Sequence, residues 1–198
     1  THNVRTAGDK VDGLVLLPGE VFDFNEVVGE RNEAGGFRPA PVIAGGELVD
    51  GVGGGACQVA GTLHAAAYFA GLTILERHPH SRPSGYIKLG LDAVVSYPEL
   101  NMRLRNDFDE PVVFQFSVSD GVVRAAVWGR ERRFEVSFVR RIVEPLAYEN
   151  RVEEDPELPD GVRVLVQRGI PGFRVKRWRL IRDVVINQTV RQSSSDLY

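Results

Sequence analysis

The sequence contains one cysteine, one methionine and no long run of apolar residues among its 198 positions. With a single cysteine, no disulfide can form within the chain, so the fold has to rest on packing alone. Because no stretch reaches the ~18 apolar residues of a membrane span, we expect no transmembrane helix within this chain. The net charge of −3 is small and gives no case for nucleic-acid binding. Hydrophobic content of 43% and charged content of 26% are ordinary for a globular protein.

The chain also lacks an initiator methionine and a signal peptide, since its first ten residues, THNVRTAGDK, are polar. We therefore expect it to be a fragment of a longer protein. A length of 198 residues suits one large or two small domains and is enough to bury a core. The composition shifts near Pro145, and the acidic segment from Tyr148 to Pro159 is typical of an extended crossing or linker.

The stretch from Gly51 to Leu72, GVGGGACQVAGTLHAAAYFAGL, carries the strongest helix signal in the chain. Three consecutive glycines, Gly53 to Gly55, precede Cys57, and apolar residues then recur at helical spacing until Gly71, which is placed to close the helix. Cys57 is therefore predicted at or just before a helix N-terminus. At such a position, unpaired N–H groups and the positive end of the helix dipole stabilise an anion.

This placement predicts a reactive thiol. A thiol at a helix N-terminus loses its proton more easily when other positive groups are near. Backbone N–H groups near Cys57 and Gln58 could also hold a developing oxyanion. The alternative is that Cys57 is a small buried hydrophobe and that the glycines only form a turn. The residues alone leave both interpretations open.

Histidines supply candidate bases for this thiol. Two prolines hold the loop HPHSRP extended, which makes His80 either a general base or a structural imidazole. His64 is a rival base, because it lies seven residues past Cys57 and returns to nearly the same helical face. His78 is expected to be exposed, and Asp92 could orient a histidine, although closing a turn is favoured. A metal site built from the three histidines would rest on spacing alone, which is a weak signal. We therefore predict no metal and no cofactor.

Strand signals dominate the rest of the chain. Alternating apolar residues on both sides of Asp120-Gly121 predict a hairpin. A structured loop is predicted over 29–46, and the polar tail over 188–198 is expected to be frayed. Further strands are predicted at 86–89, 134–143, 162–167 and 173–181. We predict an α+β fold: a mixed domain over 1–132 with a central helix on mostly antiparallel sheet, a small β module over 133–185 and a flexible tail over 186–198.

Several segments, in order, resemble the VanW family, named for an accessory protein of vancomycin resistance. They include PGEVFDFNEVVG, GGELVDGVGGGACQV and AGLTILERHPHSRPSGYI, and the resemblance covers positions 3–129. The part over 133–183 resembles a G5 domain in its DPELPDG and VQRGIPG elements. G5 domains are small β modules of cell-wall proteins, proposed to bind amino-sugar polymers. The resemblance implies an extracytoplasmic role in peptidoglycan and, as reported for some members, L,D-transpeptidase activity that uses a cysteine.

Carried over residue by residue, the family's motifs fall on the glycine-cysteine stretch and on the histidine loop. The implied catalytic residues are Cys57, His80 and Gln58. The implied substrate-binding residues are Gly54, Gly55, Arg77, Ser81 and Arg82. The resulting hypothesis is acyl transfer on a peptidoglycan stem peptide, in which Cys57 attacks a carbonyl, His80 moves protons and an arginine pairs with a substrate carboxylate.

Two alternatives to a transpeptidase stay open. With water as the acceptor, the same chemistry makes a peptidoglycan peptidase. In a non-catalytic scaffold, the basic hairpin arm from Arg174 to Arg182 would instead grip an anionic wall polymer. All three place the chain outside the cytoplasm, with peptidoglycan or its stem peptides as partner, no nucleic acid and no membrane insertion within this chain, and they leave its oligomeric state open.

Overall fold

The computed structural model describes residues 1–44 and 47–198, which contain three helices and eleven strands. The helices are α1 (His2–Gly8), α2 (Phe24–Val28) and α3 (Ala56–Ala70). The strands are β1 (Val15–Leu16), β2 (Val21–Asp23), β3 (Pro39–Ala44), β4 (Glu47–Val52), β5 (Thr73–Glu76), β6 (Arg103–Arg105), β7 (Val112–Ser119), β8 (Val122–Trp128), β9 (Phe134–Leu146), β10 (Gly172–Asp183) and β11 (Gln188–Leu197). This confirms the predicted α+β class. Within the described ranges, no helix is long and apolar enough to cross a membrane.

Glycines define both ends of α3. Gly55 precedes the helix with a φ of 109° and Gly71 follows it with a φ of 99°, in the left-handed region that glycine adopts at little cost. The N–H of Gly71 donates to the carbonyl of Ala67 at 3.2 Å, which closes the last turn. The buried face of the helix carries Val59, Ala60, Leu63 and Ala67. The predicted central helix and its glycine end are confirmed.

Antiparallel sheets accompany this helix in the N-terminal part of the chain. One has the strand order β1-β7-β8, a second has the order β2-β6-β5, and β3 pairs with β4. The hairpin of β7 and β8 turns at Asp120 and Gly121, whose φ values of 52° and 74° suit a two-residue turn, and it confirms the predicted hairpin. Phe22, Phe114 and Leu104 are fully buried in the shared core.

The C-terminal module is a three-stranded antiparallel sheet in the order β11-β10-β9. The prediction of a frayed tail is wrong, because β11 pairs with β10 from Gln188 to Leu197. Nearly all residues of this edge strand are exposed, so its sequence has no apolar alternation to signal a strand. The predicted strands at 86–89 and 162–167 are also wrong, since the structure has no strand over either segment. The predicted loop over 29–46 contains β3, and its last two residues, Gly45 and Gly46, lie outside the described residues.

Arg179 of β10 joins this module to the end of α3. Its guanidinium donates to the carbonyl oxygen of Tyr68 and, at 3.0 Å, to that of Leu72. Carbonyls in the last turn of a helix have no partner within the helix, so this cation gives the Tyr68 carbonyl a partner. Its charge also interacts favourably with the negative end of the helix dipole. The guanidinium also lies 4.5 Å from the centroid of the Tyr68 ring. Burial lowers the pKa of Arg179 to about 10, and the group remains a cation at neutral pH.

Candidate active site

Cys57 lies in the first turn of α3 with its side chain partly exposed. Its Sγ is 3.5 Å from both the carbonyl oxygen and the backbone nitrogen of Val95. In the described part of the chain, the backbone N–H of Cys57 has no acceptor, whereas that of Gln58 donates to the carbonyl of Gly55 at 3.0 Å. The N–H of Cys57 is therefore open to a bound oxyanion, while the N–H of Gln58 is already used.

His80 is a buried residue of the loop that follows β5. Its Nδ1 is 2.8 Å from Asp92 Oδ2, and its backbone N–H donates to the same oxygen at 2.8 Å. The Cys57 side chain also acts electrostatically on the imidazole. Burial lowers the pKa of His80, but the hydrogen bond to Asp92 and the interaction with Cys57 outweigh burial and raise the pKa to about 9. At neutral pH the imidazole is therefore charged.

Asp92 is the buried anion behind this histidine. Its Oδ1 accepts from Arg77 Nη2 at 2.5 Å and from the hydroxyl of Tyr198 at 2.5 Å, while its Oδ2 accepts twice from His80. Burial raises the pKa of Asp92, yet the hydrogen bond from His80 and the charge of Arg77 hold it well below its usual range. The favoured prediction that Asp92 closes a turn is wrong, because its side chain orients His80.

Arg77 is buried behind Asp92, and its guanidinium contacts only groups of the chain itself. Its Nη1 donates to Asp196 at 2.6 Å, its Nη2 to Asp92 and Tyr198, and its Nε to the backbone carbonyl of Asp92 at 2.6 Å. Only 2% of the side chain is exposed. This geometry contradicts the predicted contact between Arg77 and a substrate carboxylate, and it gives Arg77 the role of fixing Asp92.

Two residues near the sulfur were missed by the sequence reasoning. The Tyr86 hydroxyl is 3.2 Å from Nε2 of His80, and burial, together with the charges of Cys57 and Asp92, raises the pKa of Tyr86. Arg31 interacts electrostatically with the sulfur: burial lowers the pKa of Arg31, while its attraction to Cys57 acts in the opposite direction. Arg31 is held by the carbonyl of Gly29 at 2.8 Å. Neither residue stands in a motif that spacing could reveal.

Comparison with known proteins assigns this site to a family. The family model described as VanW like protein matches residues 1–128, which include Cys57, His80, Asp92 and Arg77. The chain belongs to the VanW family. A second model, described as G5 domain, matches residues 139–194, so the VanW domain is followed by a G5 domain, as the resemblance implied.

Two curated proteins are similar to this VanW chain. An uncharacterized protein of Bacillus subtilis, YoaR, is 41% identical over 115 residues, which cover 58% of this chain and 38% of YoaR. The vancomycin B-type resistance protein VanW of Enterococcus faecalis is 30% identical over 112 residues, which cover 54% of this chain and 41% of that protein. The matches thus span about two fifths of the length of these relatives. No solved structure matches the chain.

The glycines of the VanW motif pack against the domain's own backbone. A Cβ on Gly54 would lie 2.4 Å from the carbonyl oxygen of Pro41, and a Cβ on Gly55 would lie 2.8 Å from Cγ2 of Val4. Asn3 of α1 donates to the carbonyl of Gly54 at 2.9 Å. This close packing holds the start of α3 in place, and the substrate-binding roles of Gly54 and Gly55 stay predictions.

The other histidines of the VanW domain lie apart from the sulfur chemistry. His64 is fully buried, its Nδ1 is 2.7 Å from the carbonyl of Leu91, and burial lowers its pKa to about 3. So weak a base does not suit the rival role that its spacing suggested. His78 is 39% exposed and 3.0 Å from Glu76. Among the described residues, no group of three or more His, Cys, Asp and Glu is placed to hold a metal ion.

The remaining predicted binding residues follow His80 on the same loop of the VanW domain. Ser81 is exposed and Arg82 is half-buried. Beyond them, residues 83–89 and Arg140 of the G5 domain line a shallow cavity of about 400 Å³. Its lining includes Tyr86 and Lys88, so the cavity begins beside the imidazole and carries positive charge.

Proposed function

We propose that this VanW–G5 chain belongs to an extracytoplasmic protein that acts on peptidoglycan, and that its site performs cysteine-dependent acyl transfer on stem peptides. The observation that carries the proposal is the His80–Asp92 pair, whose imidazole interacts electrostatically with Cys57. A nucleophile, a base and an orienting carboxylate in this order are the parts that acyl transfer requires. The G5 match and the name of the Enterococcus faecalis relative support the cell-wall setting.

The first half of the reaction makes a thioester. The thiolate of Cys57 attacks a carbonyl carbon of the stem peptide, and a carbon–sulfur bond forms. The carbonyl oxygen becomes an oxyanion that the N–H of Cys57 stabilises. Collapse of this intermediate breaks the carbon–nitrogen bond, and the leaving amine takes the proton from the imidazolium of His80. The stem peptide is then joined to sulfur, and the terminal amino acid has left.

The second half returns the enzyme to its starting state. An acceptor amine attacks the thioester carbon and loses a proton to the now neutral His80. The carbon–sulfur bond breaks, the thiolate forms again beside the imidazolium, and a crosslinked peptide is released. Water in place of the amine gives a carboxylate product, which is the peptidase alternative.

A substrate carboxylate can pair with cations beside the imidazole rather than with Arg77. Lys88 and Arg140 both line the 400 Å³ cavity that begins at Tyr86. A stem peptide carries free carboxylates, and guanidinium and ammonium groups pair with them. We assign the substrate carboxylate to this cavity, with Arg82 as a further candidate on the adjoining loop.

The test is product analysis with purified muropeptides. The full chain is incubated with tetrapeptide-stem muropeptides, with and without an added amine acceptor, and the products are identified by mass spectrometry. Cys57→Ala should abolish turnover and remove a thioester adduct that forms on the wild-type protein. Ser117→Ala, which removes one exposed hydroxyl on β7, should behave as the wild type. Turnover by Cys57→Ala at the wild-type rate would refute the proposal.

The scaffold alternative depends on free cations in the basic hairpin arm, and several of these cations have partners within the chain. Arg174 pairs with Glu144, Arg177 with Asp196 and Arg182 with Glu135, and Arg179 caps α3. The basic hairpin arm is therefore largely neutralised within the chain. Sacculus binding that is unchanged in Cys57→Ala, with no turnover by the wild-type protein, would favour the scaffold.

A further inference from the structure

The residues that support Asp92 come from the C-terminal module, more than a hundred positions away in sequence. The hydroxyl of Tyr198 donates to Asp92 Oδ1 at 2.5 Å and accepts from the N–H of Gly90 at 2.7 Å. Asp196, two residues earlier on β11, accepts from Arg77 Nη1 at 2.6 Å. Asp196 of β11 and Tyr198, which directly follows the strand, thus reach the arginine that flanks Asp92 and the carboxylate of Asp92 itself.

These contacts are buried and mutually dependent. The side chains of Arg77, Asp92 and Asp196 are each at most 5% exposed. Asp196 is itself fixed by Arg177 Nε at 2.9 Å, from the neighbouring strand β10. A buried charge is tolerated only when it is paired and hydrogen-bonded, so Arg77 depends on both carboxylates. Without Asp196 and Tyr198, Asp92 would keep His80 and Arg77 as partners, and Arg77 would lose the carboxylate that holds its Nη1.

We propose that the C-terminal β module is part of the site, and that Tyr198 and Asp196 are positioning residues that hold Asp92 against His80. Their catalytic meaning rests on the proposed acyl transfer, but the coupling to His80 can be measured without it. The charged and titratable groups that face the imidazole are Cys57 from α3, Asp92 and Tyr86, with Arg77 behind Asp92. Tyr198 and Asp196 reach this group through Asp92 and Arg77.

The experiment measures the titration of His80 in the full chain. Histidine-labelled protein is titrated by NMR, with the His80 signal identified from His80→Gln, for Tyr198→Phe, Asp196→Asn and the double variant. We expect the His80 midpoint to move from about 9 toward its ordinary value of 6.5, since Asp92 is held less firmly. The alkylation rate of Cys57 at pH 7 should fall by a factor of about three or more in the double variant, because less imidazolium faces the sulfur.

Two control variants separate positioning from general damage to the module. Asp183→Asn breaks the ion pair between β10 and Arg133, which directly precedes β9, at 2.9 Å, without touching Asp92. Tyr148→Phe removes the hydroxyl of an exposed tyrosine. Both should leave the His80 titration and the alkylation rate as in the wild type, even where Asp183→Asn lowers stability.

The outcomes distinguish this inference from the proposed function. A His80 titration in Tyr198→Phe and Asp196→Asn that superimposes on the wild type overturns the positioning role, even if Cys57→Ala abolishes turnover. A shifted titration with wild-type controls supports the positioning role, even if no muropeptide is turned over. Tyr198→Phe keeps the aromatic ring, so we expect the variant to fold. Urea denaturation checks this before the titration is interpreted.

Discussion

His80 and Asp92 are joined twice through one oxygen, because Asp92 Oδ2 accepts from both the backbone N–H and the Nδ1 of His80, each at 2.8 Å. The double contact fixes the ring orientation and occupies Nδ1, which leaves Nε2 for the side of the site that holds Cys57 and Tyr86. A carboxylate that orients a histidine in this way also stabilises its charged form. The relationship between these two residues therefore sets both the geometry and the charge of the base.

Replacing Asp92 by asparagine should weaken both the orientation and the positive charge of the His80 imidazole. In Asp92→Asn the imidazolium loses its anion, so the pKa of His80 should fall and the alkylation rate of Cys57 at pH 7 should decrease. The free energy of unfolding should drop by about 3 kcal/mol, because Arg77 is left with one buried carboxylate. Urea denaturation and alkylation kinetics measure the two effects. Asp160→Asn, at an exposed position, is the control, and equal values for the two variants would contradict the prediction.

The stability of the protein should fall as the pH rises from neutral to alkaline. The pKa of His80 is about 9 in the folded chain and 6.5 when unperturbed, so between these values the folded state binds more protons than the unfolded state. His80 therefore contributes fully below pH 6.5, and its contribution is lost as the pH rises through about 9. The shift corresponds to about 3 kcal/mol, at roughly 1.4 kcal/mol per pKa unit.

The measurement compares the wild-type protein with His80→Gln by urea denaturation from pH 6 to pH 10. The difference in free energy of unfolding should be largest at the acidic end and should shrink toward pH 10. A difference that stays constant, or that grows with pH, would show that the histidine is not stabilised in its charged form.

Gly54 should tolerate no side chain. A Cβ there would lie 2.4 Å from the carbonyl oxygen of Pro41 and 2.9 Å from the Cβ of Ala40, and backbone atoms of β3 cannot move aside cheaply. We expect Gly54→Ala to cost about 1–3 kcal/mol and to displace the turn that carries Cys57. Gly85→Ala is the matched control, because a Cβ at Gly85 meets nothing within 4 Å. Thermal melts of the two variants should differ clearly, and coincident melts would refute the packing argument.

Local patterns were sufficient to predict α3 and the hairpin of β7 and β8, and they made Cys57 and His80 candidates. The glycines before Cys57 and the prolines around His80 act on the backbone next to them, so their effect can be predicted from the sequence. The residues that contact His80 from behind could not be predicted in this way. Asp92 was assigned to a turn because its real partners depend on how the chain folds back, with the backbone of His78 bridging Val94.

Long-range partners explain the other errors. Tyr198 contacts Asp92 across 106 positions, and Asp196 contacts Arg77 across 119. Both residues lie in or next to an exposed edge strand that lacks apolar alternation, so the tail was read as frayed. Arg77 was read as free to bind substrate because a sequence shows a cation without showing the anions that bury it.

Arg179 and Arg174 should differ strongly in their contributions to stability. Arg179 is 5% exposed and satisfies carbonyls at the end of α3, so Arg179→Met should cost about 2–3 kcal/mol. The side chain of Arg174 is 49% exposed and lies 3.3 Å from Glu144, so Arg174→Met should cost less than about 1 kcal/mol. Urea denaturation tests both. Similar small losses would mean that the helix end does not need the guanidinium.

Arg31 should increase the reactivity of the Cys57 sulfur. Its guanidinium is fixed by the carbonyl of Gly29 and by Asn25 Oδ1 at 2.7 Å, and it interacts electrostatically with Cys57. A fixed cation near a sulfur favours the thiolate, which is the form that reacts. Arg31→Met should therefore slow alkylation of Cys57 at pH 7 severalfold, with less effect at pH 10, where the thiolate forms without help.

The pH dependence is what separates this role from a structural one. Arg38→Met, which removes an exposed cation on the same connection, should alkylate at the wild-type rate at both pH values. If Arg31→Met were only distorting the start of α3, its rate would be reduced equally at pH 7 and pH 10. A rate that recovers at alkaline pH, together with partial recovery in Arg31→Lys at pH 7, would identify charge as the cause, and two cations would then be seen to act on one sulfur.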